Sequence, residues 1–250
     1  MNSLETRIPK VIHYIWLGTR PLDKVSVKCM QSWEKHLPDY EVKKWGDSEC
    51  KDIIAGNLYA QQAYDAKKYA FVSDYLRVYI LYHYGGVYMD TDVQVFKSID
   101  RFLDCGAFTC FENNNLIPTA LMSSAKGNLW MKALLDYYDN KSFIDENGNM
   151  DLTTNVIAIT NVSLGMGFVP NGEMQVFSDD VHIYTKDYFC PIDSINRAND
   201  VFTENTYVAH LYNGSWRSPL RQRLSVVKKA LGINPEKVFP DYIVRLLDKI

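Results

Sequence analysis

The amino-acid sequence predicts an α/β fold, with one main sheet, flanking helices and a helical appendage at the C-terminus. One observation is the alternation of β-branched, aromatic runs with helical patterns along the N-terminal half, which is typical of such sheets. Another is a length of 250 residues with 47% hydrophobic residues, enough for a sizeable core. The last is a nearly all-apolar segment at 69–84, which ends at a Gly-Gly pair and runs into a short strand.

The N-terminal half supplies the clearest alternation of elements. The run 11–18, VIHYIWLG, predicts a buried first strand, and helical spacing over 22–37 predicts a helix that Pro38 ends. Residues 40–45 form the next strand candidate, and the polar segment 47–67 is expected to be helical. These elements indicate a sheet whose helices lie between consecutive strands.

The remaining elements are shorter. The helix at 69–84 precedes a strand at 87–89, and the chain is expected to stay extended over 93–96. From residue 217 onward, two helices are expected, so we divide the chain into a domain at 1–216 and an appendage of that domain at 217–250. Further strands are predicted at 107–111, 116–123, 168–170, 181–184 and 207–212, and further helices at 128–138 and 151–160.

Composition excludes several classes of protein. A formal net charge of −3 argues against a general nucleic-acid binder. The five cysteines are scattered without a CxxC pair, so they indicate neither a zinc framework nor a disulfide scaffold and suit a reducing cytoplasm. We find no signal peptide and no run of roughly 18 apolar residues that would span a bilayer. The expectation is a cytoplasmic protein that is soluble or peripheral at the membrane.

The predicted appendage at 217–250 is basic, with eight Lys and Arg residues against three acidic ones. Two interpretations stay open for it. An amphipathic basic helix can rest on anionic lipid at the inner face of the membrane. Such a helix can equally pack on the domain with its charged side in solvent.

Asp90 and Asp92 follow the predicted strand 87–89 and flank Thr91. Side chains at i and i+2 of an extended segment project to one side. Two neighbouring hard oxygen donors suit a divalent cation that itself binds a phosphate. The apolar approach to this pair indicates the rim of a sheet, where ligands of α/β proteins gather. The alternative is a pair of acids that caps a turn or faces solvent.

Other candidate site residues stand alone in the sequence. Asp74 and Arg77 share one face of the apolar helix, so they form a structural ion pair or hold a polar ligand such as a sugar. His210 ends a β run and opens a Gly-containing loop, where its imidazole could complete the shell of a cation or simply pack. Trp16, at the end of the first strand, could stack on a planar base or belong to the core.

Three blocks of sequence then resemble a known family. They are IPKVIHYIWLG near the start, SDYLRVYILYHYGGVYMDTDV in the middle and TYVAHLYNGSW near the end. Together they resemble the family 32 glycosyltransferases, DXD-containing enzymes that include bacterial capsule and lipopolysaccharide transferases, and more distantly the glucosylating domains of large bacterial toxins. The resemblance covers residues 8–217. It implies a GT-A-type nucleotide-binding sheet, a nucleotide-sugar donor that is most often UDP-linked, and Mn²⁺ or Mg²⁺ as cofactor.

The resemblance also implies roles for individual residues. Trp16 matches the aromatic residue that stacks on the nucleobase, and Asp92 matches the direct metal ligand. Leu211 stands where many relatives have a second histidine, and DLTTNVIAIT lacks a Gly-Pro that is often present there. The implied catalytic residues are Asp74, Arg77, Asp90 and Asp92. The implied donor-binding residues are Trp16, Asp74, Arg77, Tyr88, Asp90, Thr154, Asn155, Ser215 and Trp216. The implied metal ligands are Asp90, Asp92, His210 and Ser215.

The expected activity is transfer of a hexose from a nucleotide sugar to a glycan acceptor, which could be lipid-linked, in capsule, lipopolysaccharide or exopolysaccharide synthesis. The resemblance implies retention at the anomeric carbon. In the absence of a clearly placed nucleophile, we expect same-face attack by the acceptor hydroxyl. Two alternatives stay open. One is a non-catalytic carbohydrate- or nucleotide-binding protein of the same fold. The other is an aspartyl-phosphate phosphatase, for which Lys186 and the Asp179-Asp180 pair sit in no matching context.

Overall fold

The computed structural model describes residues 6–113 and 115–214, which form a three-layer α/β/α arrangement. The strands are β1 (Val11–Ile15), β2 (Glu41–Trp45), β3 (Gly86–Met89), β4 (Val93–Val95), β5 (Ala107–Cys110), β6 (Leu121–Ser124), β7 (Gln175–Phe177), β8 (Val181–Tyr184) and β9 (Val208–His210). The helices are α1 (Lys24–His36), α2 (Asp47–Ala55), α3 (Leu58–Asp65), α4 (Tyr69–Tyr84), α5 (Leu129–Asp136), α6 (Asn155–Leu164) and α7 (Lys186–Phe189). The predicted α/β class is confirmed.

Seven strands form the main sheet in the order β2-β1-β3-β6-β5-β8-β7, and β4 pairs with β9 in a separate two-stranded sheet. Strand β1 lies parallel to β2 and to β3. Strand β6 is antiparallel to both β3 and β5, and β5 is parallel to β8, so β3, β5 and β8 run in the same direction and β6 runs opposite to them. The carboxyl ends of β1, β3, β5 and β8 therefore meet at one edge of the sheet.

Alternating side chains divide the core between the two faces of the sheet. Tyr88 faces the layer of α2 to α6, while its neighbours Val87 and Met89 face the layer that contains α1, β4, α7 and β9. On the second face, Trp33 of α1 is fully buried and its indole N–H donates to the carbonyl of Val93 at 2.7 Å. This bond joins α1 to the chain segment that directly follows the two acids.

Helix α4 is the central helix, and its end sets the start of β3. Gly85 and Gly86 adopt φ of +69° and +107°, which only glycine adopts without strain. A Cβ on Gly86 would lie 2.7 Å from the carbonyl oxygen of Val11, so β1 and β3 can pair closely only because no side chain stands there. The predicted Gly-Gly terminus of this helix is confirmed.

Several predicted elements need correction. The helix expected over 47–67 is two helices, because Asn57 caps α3 with its side chain and interrupts the run. The strand expected at 116–123 is confined to β6, since Pro118 cannot donate to a ladder. Residues 168–170 are not a strand, because Val169 bonds through both its N–H and its carbonyl to the side chain of Gln175.

Other boundaries also differ. Helix α6 begins at Asn155 rather than at residue 151, because Thr154 is its N-cap. Strand β7 and the short helix α7 were not expected from the sequence. The predicted helices from residue 217 lie outside the described residues. Among the described residues, no helix combines the length and the apolar character that a membrane span requires.

Candidate metal and donor-sugar site

The two acids lie at the edge where the parallel strands end, but they do so in a turn. Sequence reasoning placed Asp90 and Asp92 on an extended segment, and this is wrong. The N–H of Val93 donates to the carbonyl of Asp90 at 3.0 Å, which closes a turn over 90–93. The turn forms because β4 leaves the main sheet to pair with β9. The carboxylates of Asp90 and Asp92 nevertheless lie close together, as was expected from an extended segment.

The pairing of β4 with β9 brings His210 to these acids. Val93 lies opposite His210 in the antiparallel register, so the imidazole reaches the turn just before it. One ligand atom from each of Asp90, Asp92 and His210 lies within 4.8 Å of the others. Two carboxylates and an imidazole at this spacing can share one divalent cation. The sequence prediction that these three residues converge is thus met by the geometry.

Asp92 and His210 are coupled electrostatically. His210 Nε2 lies 3.3 Å from Asp92 Oδ1, and both side chains are largely buried. Burial alone would raise the pKa of Asp92, but the hydrogen bond and charge of His210 outweigh it, and the pKa of this carboxyl is lowered. Burial would lower the pKa of His210, but the Asp92 carboxylate raises it. The site therefore keeps Asp92 ionised, as a metal ligand must be.

Backbone bonds from the segment after β9 hold Asp92 in place. The N–H of Asn213 donates to Asp92 Oδ2 at 2.7 Å, and the N–H of Leu211 donates to the Asp92 carbonyl at 3.0 Å. Asn213 Nδ2 donates to Asp23 Oδ2 at 2.7 Å, while Asp23 also caps α1. Sequence reasoning missed Asp23 and Asn213. Asp23 fell inside the helix predicted over 22–37, and no local signal indicates a contact across 190 positions.

A buried arginine lies beside the acids. Arg77 is 4% exposed, and its guanidinium lies 3.1 Å from Asp74 Oδ1 and 3.5 Å from Asp90 Oδ1. It also donates to the carbonyl of Thr119 at 2.6 Å and lies 4.6 Å above the ring of Tyr88. The Tyr88 hydroxyl in turn donates to Asp90 Oδ1 at 2.7 Å. The sequence left two alternatives for Asp74 and Arg77, a structural ion pair or a ligand site. The two residues do form an ion pair, and Arg77 also contacts Asp90 of the candidate cation site.

Asp74 is the other acid that Arg77 contacts. Burial raises the pKa of its carboxyl to about 7; the charge of Arg77 opposes this rise, and the charge of Asp90 adds to it. The Asn155 amide also lowers that pKa, although its Nδ2 makes no hydrogen bond of normal geometry. Within the described part of the chain, Asn155 Nδ2 is the buried side-chain polar atom that has no hydrogen-bond partner. Its Oδ1 accepts from the Tyr138 hydroxyl at 3.1 Å.

The other predicted site residues fall into three groups. Trp16 is half-buried just past β1, on the same edge as Asp90, and its indole N–H donates to the Arg20 carbonyl at 2.7 Å. Thr154 is exposed as the N-cap of α6, one residue before the buried Asn155. Ser215 and Trp216 lie outside the described residues. Two surface cavities, of about 250 and 440 Å³, are lined by other residues.

Comparisons with known proteins show what the chain is similar to. The model of the glycosyltransferase sugar-binding region containing the DXD motif matches residues 23–112, which include both acids and Arg77. An uncharacterized glycosyltransferase of Acanthamoeba polyphaga mimivirus is 24% identical over 220 residues, or 86% of each chain. Inositol phosphoceramide mannosyltransferase 3 of Schizosaccharomyces pombe is 32% identical over 129 residues, which is 51% of this chain but only 36% of that protein.

Among solved structures, the PaToxG glycosyltransferase is similar with a TM-score of 0.50 at 19% identity, over 63% of this chain and 69% of that one. This likeness concerns the fold. The predicted resemblance and the GT-A-type sheet are therefore both confirmed, and the segment at 23–112 matches the glycosyltransferase sugar-binding region that contains the DXD motif.

Proposed function

We propose that this protein transfers a hexose from a nucleotide sugar to a glycan acceptor, and that it requires a divalent cation. One observation carries the proposal: the triad of Asp90, Asp92 and His210 adjoins a buried polar cluster of Asp74, Arg77 and Asn155, which we propose as the sugar pocket. A cation site and a polar pocket side by side suit the diphosphate and the sugar of one donor molecule.

The donor set fits a cation of the Mn²⁺ type. Carboxylates suit Mg²⁺, Ca²⁺ and Mn²⁺ alike, but an imidazole ligand disfavours the harder Mg²⁺ and Ca²⁺. We therefore propose Mn²⁺, held by Asp90, Asp92 and His210, with Ser215 as the further predicted ligand. When bound, such a cation neutralises the negative charge that develops on the departing diphosphate.

The residues of the pocket bind and orient the sugar. The unpartnered Asn155 Nδ2 can donate to a hydroxyl, and Asp74 can accept from one, since Arg77 holds its carboxyl beside the candidate cation site. Arg77 fixes both Asp74 and Asp90, so the distance between the sugar pocket and the cation site is held by one guanidinium. Trp16, past the neighbouring strand, is the proposed surface for the nucleobase.

We propose retention of anomeric configuration, with the acceptor hydroxyl attacking the face that the diphosphate leaves. The proton of that hydroxyl passes to the leaving diphosphate as the sugar–oxygen bond breaks. The acceptor is proposed to be a glycan, either free or carried on a lipid; the Schizosaccharomyces pombe relative is named as a mannosyltransferase of inositol phosphoceramide. A role in capsule, lipopolysaccharide or exopolysaccharide synthesis, a UDP-linked donor, and a cytoplasmic or peripheral membrane location stay predictions.

The test is sugar release and transfer from a panel that contains UDP-glucose, UDP-galactose and GDP-mannose, with Mn²⁺, with Mg²⁺ and with a chelator. We expect turnover of at least one donor that the chelator abolishes. Asp92→Asn should lower this turnover by about 100-fold or more, because it weakens stabilisation of the departing charge. Asp139→Asn, an exposed acid elsewhere, is the matched control and should leave turnover unchanged.

Full metal-dependent turnover in Asp92→Asn would refute the site. Nucleotide-sugar binding without any transfer or hydrolysis would instead support the non-catalytic alternative. Release of phosphate from simple phosphomonoesters would support the phosphatase.

A further inference from the structure

An aromatic ring lies directly against the imidazole of His210. The ring centroids of His210 and Tyr212 are 4.0 Å apart, with 35° between the planes. Tyr212 has φ of +53°, in the left-handed region that non-glycine residues avoid. A strained backbone of this kind persists when its surroundings fix it, and it is concentrated at functional sites. The Tyr212 ring therefore lies against the histidine in a segment whose backbone conformation is fixed by its surroundings.

The far end of Tyr212 is anchored by groups from other parts of the sheet. Its hydroxyl donates to Glu112 Oε1 at 3.0 Å, and Cys190 Sγ lies 3.2 Å from the Tyr212 hydroxyl oxygen. Glu112 follows β5 at the edge where Asp90 follows β3, and Cys190 follows α7. The ring is thus held between the end of β5 and the imidazole, and its position does not depend on the loop alone.

Fewer contacts hold the other side of His210. Nε2 faces Asp92, and the backbone after the histidine bonds to Asp92 through the N–H groups of Leu211 and Asn213. The backbone bonds fix the chain, and among these contacts only that of Nε2 restrains the imidazole ring. The Tyr212 ring, with its centroid 4.0 Å away, adds a second restraint on the orientation of the imidazole. Groups that orient a ligating imidazole typically matter for metal affinity nearly as much as the ligand does.

We propose that Tyr212 and Glu112 are positioning residues that orient His210 for the divalent cation; this inference rests on the proposed function. Neither residue contacts the cation in this assignment. Glu112 accepts the Tyr212 hydroxyl bond, Tyr212 presents its ring face to the imidazole, and the imidazole is thereby kept directed toward Asp90 and Asp92. Tyr212 and Glu112 thereby connect the end of β5 to the cation site at the turn after β3.

The test is the Kd for Mn²⁺ by titration calorimetry on the full chain, with the thermal midpoint measured on the same samples. Tyr212→Phe and Glu112→Ala should each weaken Mn²⁺ binding by about 10-fold, within the range that outer contacts of metal ligands show. Glu112→Gln should bind Mn²⁺ nearly as the unaltered chain does, because its amide oxygen still accepts the hydroxyl. The double variant Tyr212→Phe with Glu112→Ala should be no weaker than either single one, since both remove one hydrogen bond.

A second readout separates positioning from loss of fold. The Mn²⁺ concentration for half-maximal turnover should rise about 10-fold, while kcat at saturating Mn²⁺ stays within about twofold. Tyr40→Phe is the matched control, because the Tyr40 hydroxyl donates to Asp100 Oδ1 at 2.8 Å far from the cation site. This variant should lower the thermal midpoint without altering Mn²⁺ affinity.

Unaltered Mn²⁺ affinity in Tyr212→Phe and Glu112→Ala, alongside weakened binding in His210→Ala, would overturn the positioning role and leave the proposed function standing. Equal loss of affinity in Glu112→Gln and Glu112→Ala would also overturn it, because the hydrogen bond would then be irrelevant. A chain that binds no Mn²⁺ at all, with or without nucleotide, would overturn the cation requirement of the proposed function itself.

Discussion

His13 is a buried residue whose protonation depends on whether the chain is folded. The indole N–H of Trp45 can only donate, so His13 Nδ1, 3.1 Å away, must be an acceptor. His13 Nε2 then carries the proton and donates to the Gly85 carbonyl at 2.9 Å. Both ring nitrogens are satisfied only in the neutral form. Burial accordingly lowers the pKa of His13 to about 4, against a smaller opposing effect of the Gly85 bond.

Stability should therefore depend on pH through this residue. The unfolded chain takes up the His13 proton near pH 6.5, whereas the folded chain does so only near pH 4. The contribution is complete above pH 6.5 and is lost as the pH falls toward 4, by about 3 kcal/mol in total. Urea unfolding of the unaltered chain and of His13→Gln, from pH 7.5 to 4, should show a shallower decline in the variant. Parallel declines would contradict this account.

Arg77 should contribute much more to the free energy of unfolding than an exposed arginine does. Removing it leaves Asp74 and Asp90 without their shared cation in a buried setting. Arg77→Met should therefore lower the free energy of unfolding by about 3–5 kcal/mol at pH 7. Arg197→Met is the matched control: the Arg197–Asp200 pair is 3.6 Å long and half exposed, so its loss should cost at most about 1 kcal/mol. Similar urea midpoints for both variants would contradict the larger stabilising contribution predicted for the buried Arg77 contacts.

At this scale, the sequence identified residues whose type and spacing are unusual. A charged pair on an apolar helix had to find partners, so Asp74 and Arg77 could be predicted as a pair. Asp23, Tyr138 and Asn213 could not, because each has an ordinary local role or none, and each joins the site through a contact distant in sequence. Such contacts arise from the fold and leave no local pattern.

At the scale of elements, the turn between α4 and β3 depends on glycine for a steric reason that can be tested. A Cβ at Gly86 would meet the Val11 carbonyl oxygen at 2.7 Å and His13 Nε2 at 2.9 Å, with φ at +107°. Gly86→Ala should lower stability by about 3–5 kcal/mol, the sum of a clash and of backbone strain. Gly127→Ala, at φ of +77° with nothing within 4 Å, should cost only the strain of about 1–2 kcal/mol. Equal urea midpoints would exclude the clash.

Element prediction succeeded where one periodic signal dominated and failed where tertiary pairing decided. Helix α4 is apolar, long and ended by glycines, so its bounds were predicted as observed. The segment after Asp90 looked extended, but β4 pairs outside the main sheet, and the chain must turn to reach it. Partner choice between strands depends on the whole fold, so the sequence near the turn did not reveal it.

At the scale of the whole molecule, the site combines two distant stretches of chain. The turn after β3 supplies both acids, and β9 supplies His210 some 120 positions later. The strand pairing explains why these stretches meet: the parallel strands end at one edge, and the pairing of β4 with β9 brings His210 to the turn at that edge. The edge could be predicted from the strand–helix alternation and the position of the acids, but the second sheet could not.

This arrangement predicts that cation and nucleotide stabilise the fold together. The protein supplies three ligands from two stretches of chain, so a nucleoside diphosphate that contributes further oxygens should bind the cation site far better with Mn²⁺ present. At a ligand concentration of about 100 times Kd, binding adds about 2.7 kcal/mol, or roughly 5–10 °C in thermal midpoint for a domain of this size.

Thermal unfolding with UDP or GDP, with Mn²⁺, and with both together measures this coupling. We expect the combined shift to exceed the sum of the separate shifts, since each ligand then occupies a site that the other has completed. Asp92→Asn should remove the excess, because the turn after β3 no longer presents its buried carboxylate, while Asp139→Asn should keep it. Additive shifts in the unaltered chain would mean that nucleotide and cation bind independently, and the two halves of the site would then not share one donor.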